Sequence, residues 1–382
     1  MMAGEITALE IASGRPVRVR WGDGVITHYE PASAVETLDW WIGPGLFDVQ
    51  VNGFGGIDFQ GDLHDVEALH QAARALRAAG CLRILLTLVT DRWDRLIARL
   101  KRLRRLRASS PELRRMIAGW HLEGPFLSAV PGFHGAHDPA LMIDPTRAHI
   151  NELRQSTGDD PVLLTVAPER AGALEAIAEA VSLGMRVSLG HTDAPADILK
   201  KAMAAGASGF THLGNACPQQ LDRHDNILWR LFETRGLKVS LIPDGLHVSP
   251  ALFRLVHRVF PSDTILYTTD SMAAAGAPPG RYRLGALELE VGADGVVRQP
   301  GRQNFAGSAL TPVGGVFRAS AMLDVPWTEV WTRWAGVPRE WLGLPAQLAA
   351  GQPAEFCLLR VSESRALQEL RAVTVFGETT RT

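Results

Sequence analysis

At 382 residues the chain is longer than one ordinary domain of ~100 to 200 residues, whereas an α/β barrel routinely reaches ~250 as a single unit; one large domain with a small companion is the economical expectation. The 39 Lys and Arg residues against 41 Asp and Glu leave no excess of either sign, which argues against a polyanion-binding surface and a nucleic-acid partner. Three cysteines, Cys81, Cys217 and Cys357, are widely spaced and odd in number, which argues against a disulfide framework or a Cys-x-x-Cys metal site and implies a reducing compartment.

Met1 to Arg20 has neither the apolar core nor the cleavage pattern of a signal peptide, and no stretch approaches ~18 uninterrupted apolar residues. A soluble, cytoplasmic protein without a membrane partner is expected. Ile6 to Tyr29 alternates as short strands with turns at Ser13-Gly14 and Gly22-Asp23-Gly24. From Gly43 onward, continuous apolar runs alternate with Ala-, Leu- and Arg-rich helical segments, the pattern of a parallel sheet buried on both faces. Strands are predicted near Gly45 to Val51, Leu82 to Leu88, Met116 to Leu122, Val162 to Val166, Arg186 to Leu189, Gly209 to His212, Lys238 to Ile242 and Ile265 to Thr269. Helices such as Val66 to Ala79, Ala171 to Leu183, Ala194 to Ala205 and Pro250 to Val259 separate them. The basic run Lys101 to Arg107 falls in a helical pattern from Trp93 to Arg107 and reads as a solvated amphipathic face. Arg281 to Arg298 reads as a hairpin around Gly292-Ala293-Asp294-Gly295. The segment from Trp327 to Leu342 is helical, and Ala349 to Val375 returns to short strands. The fold class is therefore α/β: a (β/α)₈ barrel over residues 43–343, with a small β-sandwich domain assembled from residues 1–42 and 344–382.

Polar and titratable residues gather at the ends of the apolar runs, where a barrel builds its active site. Glu123 closes the His121-Leu122-Glu123-Gly124-Pro125 segment. His191 and His212 each follow an apolar strand, and Asp270 follows the last one. Neutral imidazole is the commonest nitrogen ligand for Zn²⁺ or Fe²⁺, and His₂Glu with an open position is a known catalytic zinc set. An aspartate beside such a site can take a proton from water and pass it to a leaving nitrogen. Taken singly, Glu123 also reads as a cap or surface ion pair, each histidine as a core residue and Asp270 as a helix cap. The case rests on their convergence.

These residues stand in motifs that resemble N-acetylglucosamine-6-phosphate deacetylases of the amidohydrolase superfamily. The resemblance runs through Pro44 to Gly53, the His-Leu-Glu-Gly-Pro segment, Gly135-Ala136-His137, Gly190-His191-Thr192, Thr211-His212-Leu213 with Asn215-Ala216, Asp244-Gly245-Leu246-His247, Thr269-Asp270, and Ala306 to Thr311. It implies a hydrolase that deacetylates an amino-sugar phosphate, with Glu123, His191 and His212 as metal ligands and Asp270 as acid/base. It assigns substrate contacts to Ala136, His137, Asn215, Ala216, Asp244, Gly245, Leu246, His247, Phe305, Ala306 and Gly307. Most amidohydrolases carry His-x-His on the first strand for a second metal. Here the inward positions are Gln50 and Asn52, vestigial second-metal positions whose amides are poor ligands, so one divalent ion is expected: Zn²⁺ first, with Fe²⁺ or Mn²⁺ compatible. Gln50 and Asn52 can also hydrogen-bond substrate or water, and either His137 or His247 can donate to the acetyl carbonyl.

Arg223 occupies the place of the family's phosphate-binding arginine, often contributed across a homodimer interface. The surrounding Cys217 to Asn226 departs from the usual pattern. Asp222 and Asp225 flank the arginine and offer it a structural salt bridge instead. An N-acetylgalactosamine 6-phosphate, an unphosphorylated sugar or an N-acyl amino acid stays open as substrate, as does a non-catalytic relative.

Overall fold

The structure, a computed structural model, describes residues 3–33, 39–61, 65–301 and 305–381. Eight parallel strands follow one another around a barrel: Leu46–Val51, Cys81–Val89, Ile117–Glu123, Val162–Val166, Arg186–Leu189, Gly209–Phe210, Lys238–Leu241 and Ile265–Tyr267. Every residue of the first, third and fourth strands is buried, because helices cover the outside while side chains fill the inside. Helices such as Val66–Ala78, Ala173–Ser182 and Pro250–Val259 run back between the strands. Several begin where a side chain caps the first turn: Asp65, Thr146, Asn226, Ser249 and Thr311 each accept a backbone N–H, replacing partners a helix end lacks.

The seam between first and last strands is made differently. A single bridge joins Val51 to Ser271, and Asn52 N–H donates to Ser271 O at 2.8 Å. Below it, the Asp48 carboxylate accepts from Thr268 Oγ1 at 2.5 Å, Thr269 N–H at 2.9 Å and Gln50 N–H at 3.1 Å. A side chain thus supplies ladder bonds that the short last strand cannot. Burial pushes the Asp48 carboxyl up to about 6 against those three donors.

The two chain ends form one seven-stranded sheet, the small β-sandwich unit expected from the sequence. Trp41–Pro44 joins the halves, pairing parallel to Gly4–Glu10 and antiparallel to Phe356–Val361. Val19, Ile26, Ile42 and Phe356 are fully buried in its core. Gly22 pairs with Val25 around Asp23-Gly24. Both turn residues have positive φ, 51° and 76°, as a tight hairpin turn requires.

Three local expectations shift. The strand expected over Gly209 to His212 stops at Phe210, because His212 has φ 33° and turns out of the ladder. The hairpin after the eighth strand turns first at Gly285-Ala286, between the paired Leu284 and Leu287, and 292–295 makes only a second turn before Val297–Arg298. Asp58 Oδ2 holds the Gly285 N–H at 2.8 Å, a tertiary contact with no local signature. The basic helix Trp93–Ala108 exposes Lys101 and Arg105, but Arg107 turns inward to Ile117 O at 2.6 Å and Asp160 Oδ1 at 2.8 Å.

Candidate active site

Glu123 is the last residue of the third strand, and His191, His212 and Asp270 lie just beyond the fifth, sixth and eighth. All but Glu123 have left-handed φ, 52°, 33° and 49°. Among the described residues seven non-glycines have positive φ, and Ala216 beside them makes four of the seven in this region. Backbone conformations that cost free energy are thus concentrated where side chains must turn into the barrel mouth.

His212 Nε2 lies 2.8 Å from Glu123 Oε1, His191 Nε2 3.2 Å from the same oxygen, and the two Nε2 atoms 3.2 Å apart. His191 donates from Nδ1 to Phe133 O at 2.9 Å, which assigns its tautomer and leaves a lone pair on Nε2. That lone pair faces the Glu123 carboxylate and His212. A proton on His212 Nε2 would satisfy only part of the triangle, and His212 Nδ1 is buried without a hydrogen-bond partner among the described residues. Three buried ligand atoms converging in this way fit a divalent cation, and the donor types are those of a His₂Glu site. Burial raises the Glu123 carboxyl, but the two imidazoles outweigh it and hold the group well below its usual range. Burial lowers His191; at His212 the Glu123 carboxylate overcomes the same burial and raises it.

Asp270 stands beside this triangle. Its Oδ1 accepts from Asn52 Nδ2 at 2.7 Å and Gln50 Nε2 at 3.0 Å, and Gln50 Nε2 also donates to Glu123 Oε1 at 2.8 Å. Gln50 therefore bridges the two carboxylates, while Asn52 holds Asp270 alone. Oδ2 makes no hydrogen bond among the described residues. Burial, reinforced by the Glu123 charge, pushes the Asp270 carboxyl up to about 7. Its backbone carbonyl accepts from Ser308 N–H at 2.9 Å, which packs the Ala306-Gly307 loop against it. A Cβ on Gly307 would sit 3.3 Å from that carbonyl, and the glycine has φ 68°, so this close approach suits glycine alone.

His137 reaches the site from the third βα loop, with Nε2 3.7 Å from Glu123 Oε2 and its ring 4.6 Å from that of His191. Thr90 Oγ1 lies 2.8 Å from His137 Nδ1. Burial pushes His137 down to about 3, so its ring is neutral. His247 is oriented by Asp244, whose Oδ2 is 2.6 Å from Nδ1 and whose Oδ1 accepts the Leu246 and His247 N–H groups. Phe305 packs on the His247 ring at 5.1 Å; with Leu246 it presents an exposed apolar lip. Asn215 donates from Nδ2 to His212 O at 3.2 Å, and Ala136 packs against the apolar cluster that holds Met272, Leu284 and Ala306.

Arg223 lies on an exposed loop, and among the described residues its guanidinium makes no ion pair. The flanking carboxylates are engaged elsewhere: Asp222 Oδ1 accepts the His224 and Asp225 N–H groups, and Asp225 pairs with Arg230.

Several contributors escaped the sequence reading. Thr90 had no motif to mark it. Asp48 did carry a signal, since it shares inward parity with Gln50 and Asn52 on one strand. His121, buried beneath the site, donates to or accepts from Thr165 Oγ1 at 2.8 Å. A cleft of about 700 Å³ lies away from this chemistry, between the small domain and the helix Trp327–Trp341, and another of about 640 Å³ is lined by Thr90, Ala136 and His137.

A barrel with buried Glu, His and His and a half-buried Asp at its C-terminal strand ends defines an amidohydrolase-type enzyme. No family model matches the chain. It is 31% identical over 280 residues to the N-acetylglucosamine-6-phosphate deacetylase of Bos taurus, covering 71% of this chain and 67% of that one. It is 29% identical to the N-acetylgalactosamine-6-phosphate deacetylase of a Shewanella strain, over 87% of this chain and 82% of the relative. The solved structure of a Mycobacterium smegmatis N-acetyl-D-glucosamine-6-phosphate deacetylase mutant, in complex with N-acetyl-D-glucosamine-6-phosphate, superposes with a TM-score of 0.87 at 30% identity, covering 99% of this chain and 100% of that one. The chain belongs to the N-acetylglucosamine-6-phosphate deacetylase family.

Proposed function

We propose that this protein hydrolyses N-acetyl-D-glucosamine 6-phosphate to acetate and D-glucosamine 6-phosphate, with the barrel, residues 43–343, as the catalytic domain. The observation that carries the reading is the Asp270 carboxylate, held through Oδ1 by Gln50 and Asn52 with Oδ2 uncommitted beside the Glu123, His191 and His212 triangle. Those three residues would hold one divalent ion, Zn²⁺ by preference for the donor set, with Fe²⁺ and Mn²⁺ compatible. Such an ion, when bound, supplies Lewis-acid polarisation of the acetyl carbonyl and eases deprotonation of water. The Gln50 and Asn52 amide nitrogens are committed to the carboxylates, and neutral amides are poor ligands beside imidazole or carboxylate, so one ion is proposed rather than two.

Asp270 Oδ2 takes a proton from the attacking water as oxygen bonds to the acetyl carbon. It returns the proton to the sugar nitrogen as the C–N bond breaks. His137 is the donor to the acetyl oxygen in this scheme: Thr90 hydroxyl donation to Nδ1 leaves Nε2–H facing the site. His247, fixed by Asp244, and the backbone at Ala136, Asn215, Ala216 and Gly307 line the sugar pocket. Arg223 takes the phosphate, reaching it across a homodimer, which its exposed guanidinium, without an ion pair among the described residues, supports. No helix among the described residues is long and apolar enough to cross a membrane, and the protein is assigned to the cytoplasm.

Acetate release from N-acetylglucosamine and N-acetylgalactosamine, each with and without the 6-phosphate, tests this. Fastest turnover of the glucosamine 6-phosphate derivative is expected; preference for the other epimer or for an unphosphorylated sugar overturns it. Asp270→Asn should keep its metal and lose roughly 10³-fold in kcat.

A further inference from the structure

Resting on the phosphate role proposed for Arg223, we infer that Arg230 is a positioning residue that locks the Arg223 loop to the His191 loop and so sets discrimination for a phosphorylated sugar. Arg230 lies on the short helix Ile227–Glu233, with its side chain only 13% exposed. Its Nη1 donates to Asp193 O at 3.0 Å, Asp193 Oδ1 at 2.9 Å and Ala194 O at 3.2 Å. Its Nε donates to Asp225 Oδ1 at 2.6 Å. One guanidinium thus clamps two loops: the one that begins at His191, and the one that carries Arg223.

The far side of each loop is tied as well. On the first, Glu169 receives the Thr192 hydroxyl and, at 3.1 Å, the Asp193 N–H. On the second, Trp229 Nε1 donates to Arg223 O at 3.0 Å and Asn226 Nδ2 to Asp222 O at 2.6 Å. The Arg223 backbone is therefore fixed, while its guanidinium makes no ion pair among the described residues. Arg223 is presented from a loop that Arg230 ties to the barrel mouth, and a phosphate contact, whether in the same subunit or across a dimer, is only as selective as the position of that arginine is constant. A planar, five-donor guanidinium can span both loops at once; an ammonium cannot.

The test compares Arg223→Ala, Arg230→Lys and Asp225→Ala by kcat and KM on N-acetylglucosamine with and without the 6-phosphate, together with bound metal and melting temperature. Asp225 is exposed, so its variant folds even where Arg230→Lys does not. The expected result is a roughly tenfold rise in KM for the phosphorylated sugar in Asp225→Ala and Arg230→Lys. Their kcat and metal content should stay near wild type, and turnover of the unphosphorylated sugar should not move. If Arg223→Ala lowers discrimination while both clamp variants keep the wild-type ratio, or lose both substrates equally, the clamp is overturned. If Arg223→Ala itself leaves the ratio untouched, the phosphate reading fails, and the clamp's role in selectivity fails with it.

Discussion

Asn52 Nδ2 donates to Asp270 Oδ1 at 2.7 Å, so a residue of the first barrel strand's edge holds a carboxylate that follows the last. In a barrel whose seam has one backbone bridge, this side-chain bond both closes the mouth and aims the carboxylate.

Replacing Asn52 with Asp removes the donor and adds a like charge. Asp270 acts as a base only when ionised, and its carboxyl already sits at about 7. A pKa pushed higher moves the acidic limb of the kcat/KM profile to higher pH, since activity is lost as pH falls through it. Asn52→Leu removes the donor without adding a charge, so it should lower kcat roughly tenfold with a smaller displacement in the same direction. An unmoved limb in Asn52→Asp would remove Asp270 from the base role.

Glu123 contacts both imidazoles, so Glu123→Gln should lose bound divalent metal and roughly 10³-fold in kcat. Chelation of the wild type should abolish turnover, and re-addition of a divalent ion should restore it. Full activity in a metal-free preparation, verified by elemental analysis, would contradict the assigned donor set.

Stability should depend on pH through His257. Its Nδ1 donates to Phe253 O at 2.7 Å and its Nε2 accepts the Tyr267 hydroxyl at 2.8 Å, while Arg333 donates to that hydroxyl's oxygen at 3.0 Å. Both His257 contacts are met by the neutral ring, and burial lowers its pKa from 6.5 to about 4. A depressed histidine contributes stability that is present above 6.5 and is lost as pH falls through about 4. His257→Gln, which does not titrate, should lose less melting temperature than wild type over that window. Parallel curves would assign acid sensitivity elsewhere.

The basic helix separates two kinds of arginine. Arg107 is mostly buried against Asp160, at 2.8 Å, and Arg105 is exposed. Urea unfolding should show Arg107→Ala costing about 3 kcal/mol, because Asp160 loses a buried partner. Arg105→Ala should stay within about 0.5 kcal/mol. Equal costs would contradict this division.

Much of this was readable in one dimension. Period and continuity of apolar runs marked all eight strands, since a strand buried on both faces leaves no polar positions inside it. The Asp23-Gly24 turn announced itself because few residues accept two successive positive φ values. Glu123, His191, His212 and Asp270 stood out as polar residues just past apolar runs. The turn at Gly285 did not, since its N–H is held by Asp58 from another part of the chain.

Sequence alone therefore determined the barrel, the small β unit and the residue types at the strand ends, because those depend on local periodicity and on a rule of barrel geometry. Tertiary structure decided the roles of the amides and the arginines. Gln50 and Asn52 became bridges to Asp270, Arg223 was left without an ion pair among the described residues, and Arg230 gathered two loops, because hydrogen bonds between residues distant in the chain leave no periodic trace.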